Sequence, residues 1–287
     1  MSAGPLLTLD TPWLLYRSHF ALPRSIRGAD GAPVGALLGT VNTILGLVAA
    51  CAPRAVVCAT GAEEAAYRVA LYPPYHAHRD PMPAELRAQW NRAPALLEAL
   101  GWIVSGDDSL EADDVMWSYS RAEAAGGGRT LICSGDRDLH QAVDEHTLVL
   151  ELRRDGPPGT IDAAEVQRRS GVTPAQIPDL IALRGDPSDG LPGARGVGAK
   201  TAAALIAEHG SLEGVLAAAA TLRPRIAAAL TEQADELRAF LEIARLQDVP
   251  VTRPPDAATD YVRGAKAADE LGMGNLAQRL EQAAGAR

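Results

Sequence analysis

Aromatic residues are scarce in this chain of 287, with two Phe, four Trp and six Tyr making up 4%. Trp13, Trp90, Trp102 and Trp117 are therefore read as packing residues in preference to base-stacking platforms. Cysteine is nearly absent too: Cys51, Cys58 and Cys133 lie in apolar surroundings without CxxC spacing. That excludes a cysteine zinc site or a disulfide frame and points to buried thiols in a reducing compartment. No apolar run reaches the length of a membrane span. GALLGTVNTILGLVAACA (35–52) carries Asn42 and two threonines, and reads as a buried helix. No basic segment opens the chain, so no signal peptide is expected, and the protein is read as soluble and cytoplasmic. Bases are missing altogether from GDDSLEADDVMW (106–117), where Asp107, Asp108, Glu111, Asp113 and Asp114 crowd together.

What is present supports a sizeable fold. Hydrophobic residues make up 47% of the chain, ample for a core, and the alanine content favours helices. PLLTLD (5–10), RAVVCAT (54–60), GWIVSG (101–106), RTLICSGD (129–136) and HTLVLEL (146–152) read as strands. Helical patterns over 34–52, 83–100 and 111–125 alternate with them. The alternation predicts an α/β fold with a mostly parallel sheet covered on both faces. GPPGT (156–160) reads as a closing turn, and no strand of comparable strength follows residue 161. The rest is helical, which divides the chain into 1–172, an α/β core, and 173–287, a helical region.

The acids decide what such a sheet is for. Two like charges ~4 Å apart repel by roughly 4 kcal/mol at the effective dielectric of a protein surface. One reading of 106–117 is a solvated helix start capped by Ser109, since a first turn favours Asp and Glu. The other is a shared cation. Asp10 ends the first strand, Asp136 and Asp138 follow the fourth in SGDRD, and the EADD acids follow the third. All belong at the carboxyl edge of a parallel sheet, where ligands bind. A further acidic turn, RGDPSDG, brings Asp186 and Asp189, and GARGVGAK sets Gly196, Gly198 and Lys200 before a helix. Glycines and helix N–H groups suit a phosphate. Oxygen ligands without Cys or His suit Mg²⁺ or Mn²⁺, and paired ions of this kind serve phosphodiester hydrolysis.

LYRSHFALP after Asp10, YRVALYPPYHAHRDPMPAEL, EADD, SGDRDLHQAV and RGDPSDGLPGARGVGAKTA occur in the order found in the 5′ nuclease (flap endonuclease) family. The resemblance covers about residues 5–250. It implies a three-layer PIN-like core, a helical arch over the active site (about 72–95) and a helix-hairpin-helix element on duplex DNA. It assigns the metal carboxylates to Asp10, Glu111, Asp113, Asp114, Asp136, Asp138, Asp186 and Asp189, with Asp10, Arg79 and Asp136 catalytic. Arg68, His76, Arg79, Gly196, Gly198 and Lys200 become DNA contacts, with K⁺ at the glycine turn. The implied activity is hydrolysis of DNA at 5′ flaps and 5′ ends in replication and repair, by a monomer acting on branched or 5′-ended DNA.

Three positions depart from that pattern. Gly61 stands where the family carries a metal-site Asp, His76 where it carries Lys in the arch, and Thr11-Pro12 where a glycine usually follows the first Asp. Glu63 or Glu64 could supply the missing carboxylate, or simply open a solvated helix. These changes weaken the first ion site and the arch, so activity is expected to be slower or to demand Mn²⁺. The alternative is a DNA-junction-binding protein with weak or lost nuclease activity. Net charge of −9 argues at first against nucleic acid. Setting the eight site acids aside from the 36 leaves 28 against 27 bases, a nearly neutral remainder. Affinity for DNA should then be salt-sensitive through its phosphate contacts.

Overall fold

The computed structural model describes residues 4–153 and 156–286. Six strands form one sheet: β1 (Leu6–Asp10), β2 (Ala55–Ala59), β3 (Ile103–Ser105), β4 (Thr130–Cys133), β5 (Thr147–Glu151) and β6 (Gly159–Ile161). Their spatial order is β3-β2-β1-β4-β5-β6, and all neighbours are parallel except β5 with β6. The order reverses between β1 and β4. In an open α/β sheet the crevice beyond the carboxyl ends at such a reversal is the natural ligand site.

The first helices are α1 (Thr11–Ala21), α2 (Gly35–Cys51), α3 (Ala66–Leu71), α4 (Ala84–Trp90), α5 (Ala93–Ala99), α6 (Ala112–Ala125) and α7 (Ala163–Ser170). There follow α8 (Ile177–Arg184), α9 (Ala199–His209), α10 (Leu212–Ala217), α11 (Pro224–Glu232), α12 (Ala234–Ala244), α13 (Tyr261–Glu270) and α14 (Gly274–Gly285). The five predicted strands and the helices at 34–52 and 111–125 are all present. Among the described residues no helix is long and apolar enough to cross a membrane.

Apolar residues fill both faces of the sheet. On one, Leu6, Val57 and Ile132 share a cluster with Val115 of α6, Ile181 of α8 and Phe240 of α12. On the other, Leu7, Leu9 and Cys58 share one with Leu37 of α2, Leu97 of α5, Ala268 of α13 and Leu276 of α14. Alternate strand residues feed opposite faces, as the two-residue period of a strand requires. The chain reaches the second face late, along residues 245–260. Ala257 N–H donates to the Arg54 carbonyl at 2.8 Å and Asp260 N–H to that of Leu100 at 2.9 Å.

Three local expectations need correction. Residues 156–160 do not merely turn: Gly159–Ile161 form an antiparallel edge strand, with Ile161 opposite Val149. Three residues are too short for a periodic signal. The segment 83–100 is two helices, because Pro94 sits in the first turn of α5, and a proline there has no N–H for a continuing helix. Ser109 is not the cap of α6; its N–H and hydroxyl both donate to Asp107 Oδ1, at 2.8 and 2.6 Å. Glu111 caps instead, in a reciprocal box with Asp114. Thr11-Pro12 opens α1, which Asp10 caps.

Candidate metal centre and nucleic-acid surface

Asp10 ends β1 beside the reversal. Its Oδ1 accepts the Trp13 N–H at 2.9 Å, capping α1, and its Oδ2 accepts the Ser134 hydroxyl at 2.7 Å across to the end of β4. Ser134 Oγ in turn accepts the Asp136 N–H at 3.0 Å, and Asp138 N–H donates to Asp136 Oδ1 at 2.8 Å. Local backbone turns thus aim the acids of SGDRD at Asp10. The role of Ser134 was not foreseen, although it stands inside the motif that pointed to its neighbours.

Electrostatics mark these groups as one cluster. Burial raises Asp10, against the opposing hydrogen bonds of Ser134 and Trp13. Burial, then the charges of Asp136, Asp10 and Glu111, push Asp113 well above the ordinary carboxylate range. Desolvation, then Asp136, Asp189 and Asp186, do the same to Asp138. Asp136 still presents surface to solvent. Protein atoms crowd its carboxyl, and with the charges of Asp189, Asp10 and Asp186 they outweigh its bond from Asp138 and push it up to about 6. Carboxylates from β1, α6, the β4 loop and the 186–189 turn therefore repel one another without a counter-charge. Such a set of hard oxygen donors fits a divalent cation. Among the described residues no three acidic, His or Cys side chains close around one ion position. A Mg²⁺-type ion keeps several waters and needs only one or two carboxylates, so an open arrangement suits it.

Three predicted ligands, Glu111, Asp189 and Asp186, are partly engaged by protein donors. Glu111 accepts the Ala65 N–H at 2.8 Å and the Tyr75 hydroxyl at 3.1 and 3.2 Å, with Arg68 Nη1 at 3.2 Å. Burial and the Glu111 charge keep the Tyr75 phenol protonated and donating. Asp189 Oδ1 meets His76 Nε2 at 3.0 Å and Arg79 Nη2 at 3.2 Å. Asp186 Oδ2 accepts Arg184 Nη2 at 3.2 Å, and its Oδ1 accepts the Ser188 N–H at 2.9 Å.

Three assignments are corrected. Asp114, expected as a metal ligand, is 0% exposed and accepts four bonds. They come from Arg68 Nη1 (3.0 Å) and Nη2 (2.8 Å), Gln247 N–H (2.8 Å) and Glu111 N–H (3.0 Å). A carboxylate has about four acceptor sites, so none is left for an ion. Arg68, expected on DNA, is 4% exposed; its fork is spent on Asp114 and its Nε donates to the Ile243 carbonyl at 3.1 Å. His76, also expected on DNA, is 4% exposed and bound to Asp189. Periodicity carries no signal for which of two adjacent acids faces inward; only the partner Arg68, forty-six residues away, decides it.

Gly61 is closed to any side chain. A Cβ there would lie 2.5 Å from the Leu110 carbonyl oxygen and 2.7 Å from Ala112 N. Glu63 and Glu64 are exposed, and Glu63 pairs with Arg87 at 2.5 Å, so neither replaces the family's Asp. At the far end of the surface, Gly196 has φ 79° and Gly198 caps α9, with Lys200 exposed in its first turn. Arg225, missed from sequence, lies 3.7 Å from the space beside Gly196. On the outer face of α1, Arg17 sits 5.9 Å over the Trp13 ring and Phe20 is 68% exposed.

The sequence of the 5′-3′ exonuclease N-terminal resolvase-like domain matches residues 5–171, and that of the 5′-3′ exonuclease C-terminal SAM fold matches 172–263. The chain belongs to the 5′-3′ exonuclease family. It is 36% identical to a 5′-3′ exonuclease of Streptomyces coelicolor, over 96% of this chain and 98% of that protein. It is 35% identical to one of Mycobacterium tuberculosis, over 98% of each. DNA polymerase I of Mycobacterium leprae is 35% identical over 88% of this chain, but over only 28% of the polymerase. The fold is that of the bacteriophage T5 D15 flap endonuclease, solved with DNA and metal ions (TM-score 0.70, 16% identity, 96% of this chain and 98% of that one). It is also that of the catalytic core of Rad2 in complex with DNA substrate (TM-score 0.63, 13% identity, 98% and 91%).

Proposed function

We propose that this 5′-3′ exonuclease family member is a divalent-metal-dependent 5′ nuclease. It hydrolyses DNA phosphodiesters at 5′ ends and 5′ flap junctions, in replication and repair, as a cytoplasmic monomer. The observation that carries this reading is the convergence of Asp10, Asp113, Asp136, Asp138, Asp186 and Asp189 on the sheet reversal, where the charges of their neighbours help raise Asp113, Asp136 and Asp138. Those six, with Glu111, are the residues that would hold Mg²⁺ or Mn²⁺. Bound divalent ions supply Lewis acidity, generating hydroxide near neutral pH and neutralising charge on the phosphate. The chain itself contributes orientation. Ser134 fixes Asp10 against the β4 loop, and Arg79, whose side chain is 47% exposed, steers the scissile phosphate.

In this reading residues up to 172, joined by Asp186 and Asp189, carry the chemistry, and the rest of the region from 173 grips the duplex. Gly196, Gly198 and Lys200 present backbone N–H groups and one positive charge to a phosphate, with K⁺ at the turn. The exonuclease activity of the relatives, and the solved complexes with DNA, support the substrate class.

The test is cleavage of a labelled 5′-flap duplex with Mg²⁺, Mn²⁺ or EDTA, alongside Asp136→Asn. Metal-dependent cuts at the junction, absent in the variant, are expected. Structure-selective binding without cuts under either metal would overturn the nuclease and leave a junction-binding protein.

A further inference from the structure

Tyr75 and His76 are consecutive, with stacked rings whose centroids are 3.7 Å apart and planes inclined by 23°. Each ring ends on a different acid of the site. The Tyr75 hydroxyl lies 3.1 and 3.2 Å from the two oxygens of Glu111, and His76 Nε2 lies 3.0 Å from Asp189 Oδ1. Glu111 opens α6, whereas Asp189 sits in the turn after α8. The two carboxylates are thus tied to one rigid pair of rings although 78 positions separate them in sequence.

Several features hold that pair in place. His76 has φ 55°, a left-handed conformation that costs a non-glycine residue of order 1–3 kcal/mol and persists only where the surroundings enforce it. Here its own N–H donates to the Asp189 carbonyl at 3.1 Å, so backbone and ring both grip the same residue. Gly190 follows at φ 78°, and a Cβ there would press to 3.0 Å from the Pro74 carbonyl oxygen. The other ring nitrogen, His76 Nδ1, is buried without a partner. Packing alone would not direct both polar ring atoms onto carboxylates of the acid cluster.

We propose that Tyr75 and His76 are positioning residues that bracket the cation site, holding Glu111 and Asp189 at a set separation for a divalent ion. The proposal rests on the nuclease reading above and deepens it. His76 thereby takes a role distinct from that of a DNA-contacting cation at the same place. Partners that orient metal ligands typically account for 10–100-fold in metal affinity.

The experiment is calorimetric titration of the full chain with Mn²⁺, with thermal unfolding in EDTA recorded on the same samples. It compares wild type with Tyr75→Phe, His76→Ala, His76→Gln and Asp136→Asn. Tyr75→Phe and His76→Ala should weaken Mn²⁺ binding by about tenfold or more. His76→Gln should retain most of it, because its amide nitrogen reaches the position of Nε2. Gln and Ala suffer the same left-handed strain, so their difference reads the side-chain bond and not the backbone. Wild-type affinity in both Tyr75→Phe and His76→Ala would overturn the bracket and leave the nuclease reading standing. Equal losses in Gln and Ala, tracking the unfolding midpoint, would make His76 merely structural and overturn it too. If wild type binds Mn²⁺ no better than Asp136→Asn, the metal-dependent reading falls, and the bracket with it.

Discussion

A Cβ built on Gly61 would stand 2.5 Å from the carbonyl oxygen of Leu110. The loop after β2 and the start of α6 are in backbone contact there, with the Ala62 N–H donating to the same oxygen at 2.9 Å. The lost family Asp is therefore not a vacancy that a substitution refills. Gly61→Asp should destabilise by roughly 1–3 kcal/mol, the usual cost of forcing atoms into a packed site, and should lower nuclease activity. Urea unfolding and the flap assay check both. A gain of activity at low Mg²⁺ would show that the loop can withdraw.

Asp136 gives a pH-dependent prediction. Its folded pKa of about 6 lies above the model-peptide value of 3.8. Between those values the folded chain binds more protons than the unfolded one, so the metal-free protein loses stability as pH rises through this window. Asp136→Asn should then unfold at a higher temperature than wild type in EDTA at pH 7.5. The two should converge near pH 4, and Mn²⁺ should raise the wild-type midpoint more than that of the variant. Calorimetry across pH settles the sign.

Asp114 belongs to the framework. Removing it in Asp114→Ala leaves the Arg68 guanidinium buried without its main partner, and breaking a buried pair costs about 3–5 kcal/mol. Chemical denaturation should show that loss. Asp136→Asn, by contrast, should abolish cleavage with little loss of fold.

Glu123 makes the opposite pH argument. Burial alone would raise its pKa, but hydrogen bonds from Arg54 and Arg253 outweigh burial and lower it. Its stabilisation is fully present above the unfolded value of 4.5 and is lost as pH falls through the depressed folded value. Glu123→Gln should therefore be less stable than wild type at pH 7, with the gap closing in acid. Thermal unfolding at pH 7 and pH 3 measures it.

Lys200→Ala should weaken DNA binding about equally across sequences and reduce the salt slope by roughly 1, as for one lost phosphate contact. Fluorescence anisotropy over a salt series reads the slope. An effect confined to one DNA sequence would remove Lys200 from the backbone.

The strands of this sheet were legible because each is a short apolar run bounded by turn residues, and the acids because each follows such a run. The edge strand Gly159–Ile161 and the break at Pro94 were not, since one is three residues long and the other interrupts an otherwise continuous helical pattern. At the site, sequence grouped Asp113 with Asp114 correctly in space but not in role. Which of them meets Arg68 depends on the rotation of α6 against α3, and no local pattern encodes that. Tyr75 and Ser134 were passed over for the same reason: their neighbours in sequence look functional, but the carboxylates their hydroxyls donate to lie at least thirty-six positions away.

The path of residues 245–260 also sets the order in which this protein can be finished. Ala265, Ala268, Leu276 and Leu280 occupy the same cluster as Leu37 and Leu97. Until that last hairpin emerges from the ribosome, the apolar residues of α2 and α5 that it packs against stay uncovered. A nascent chain must keep that greasy surface from sticking elsewhere through more than a hundred further residues of synthesis.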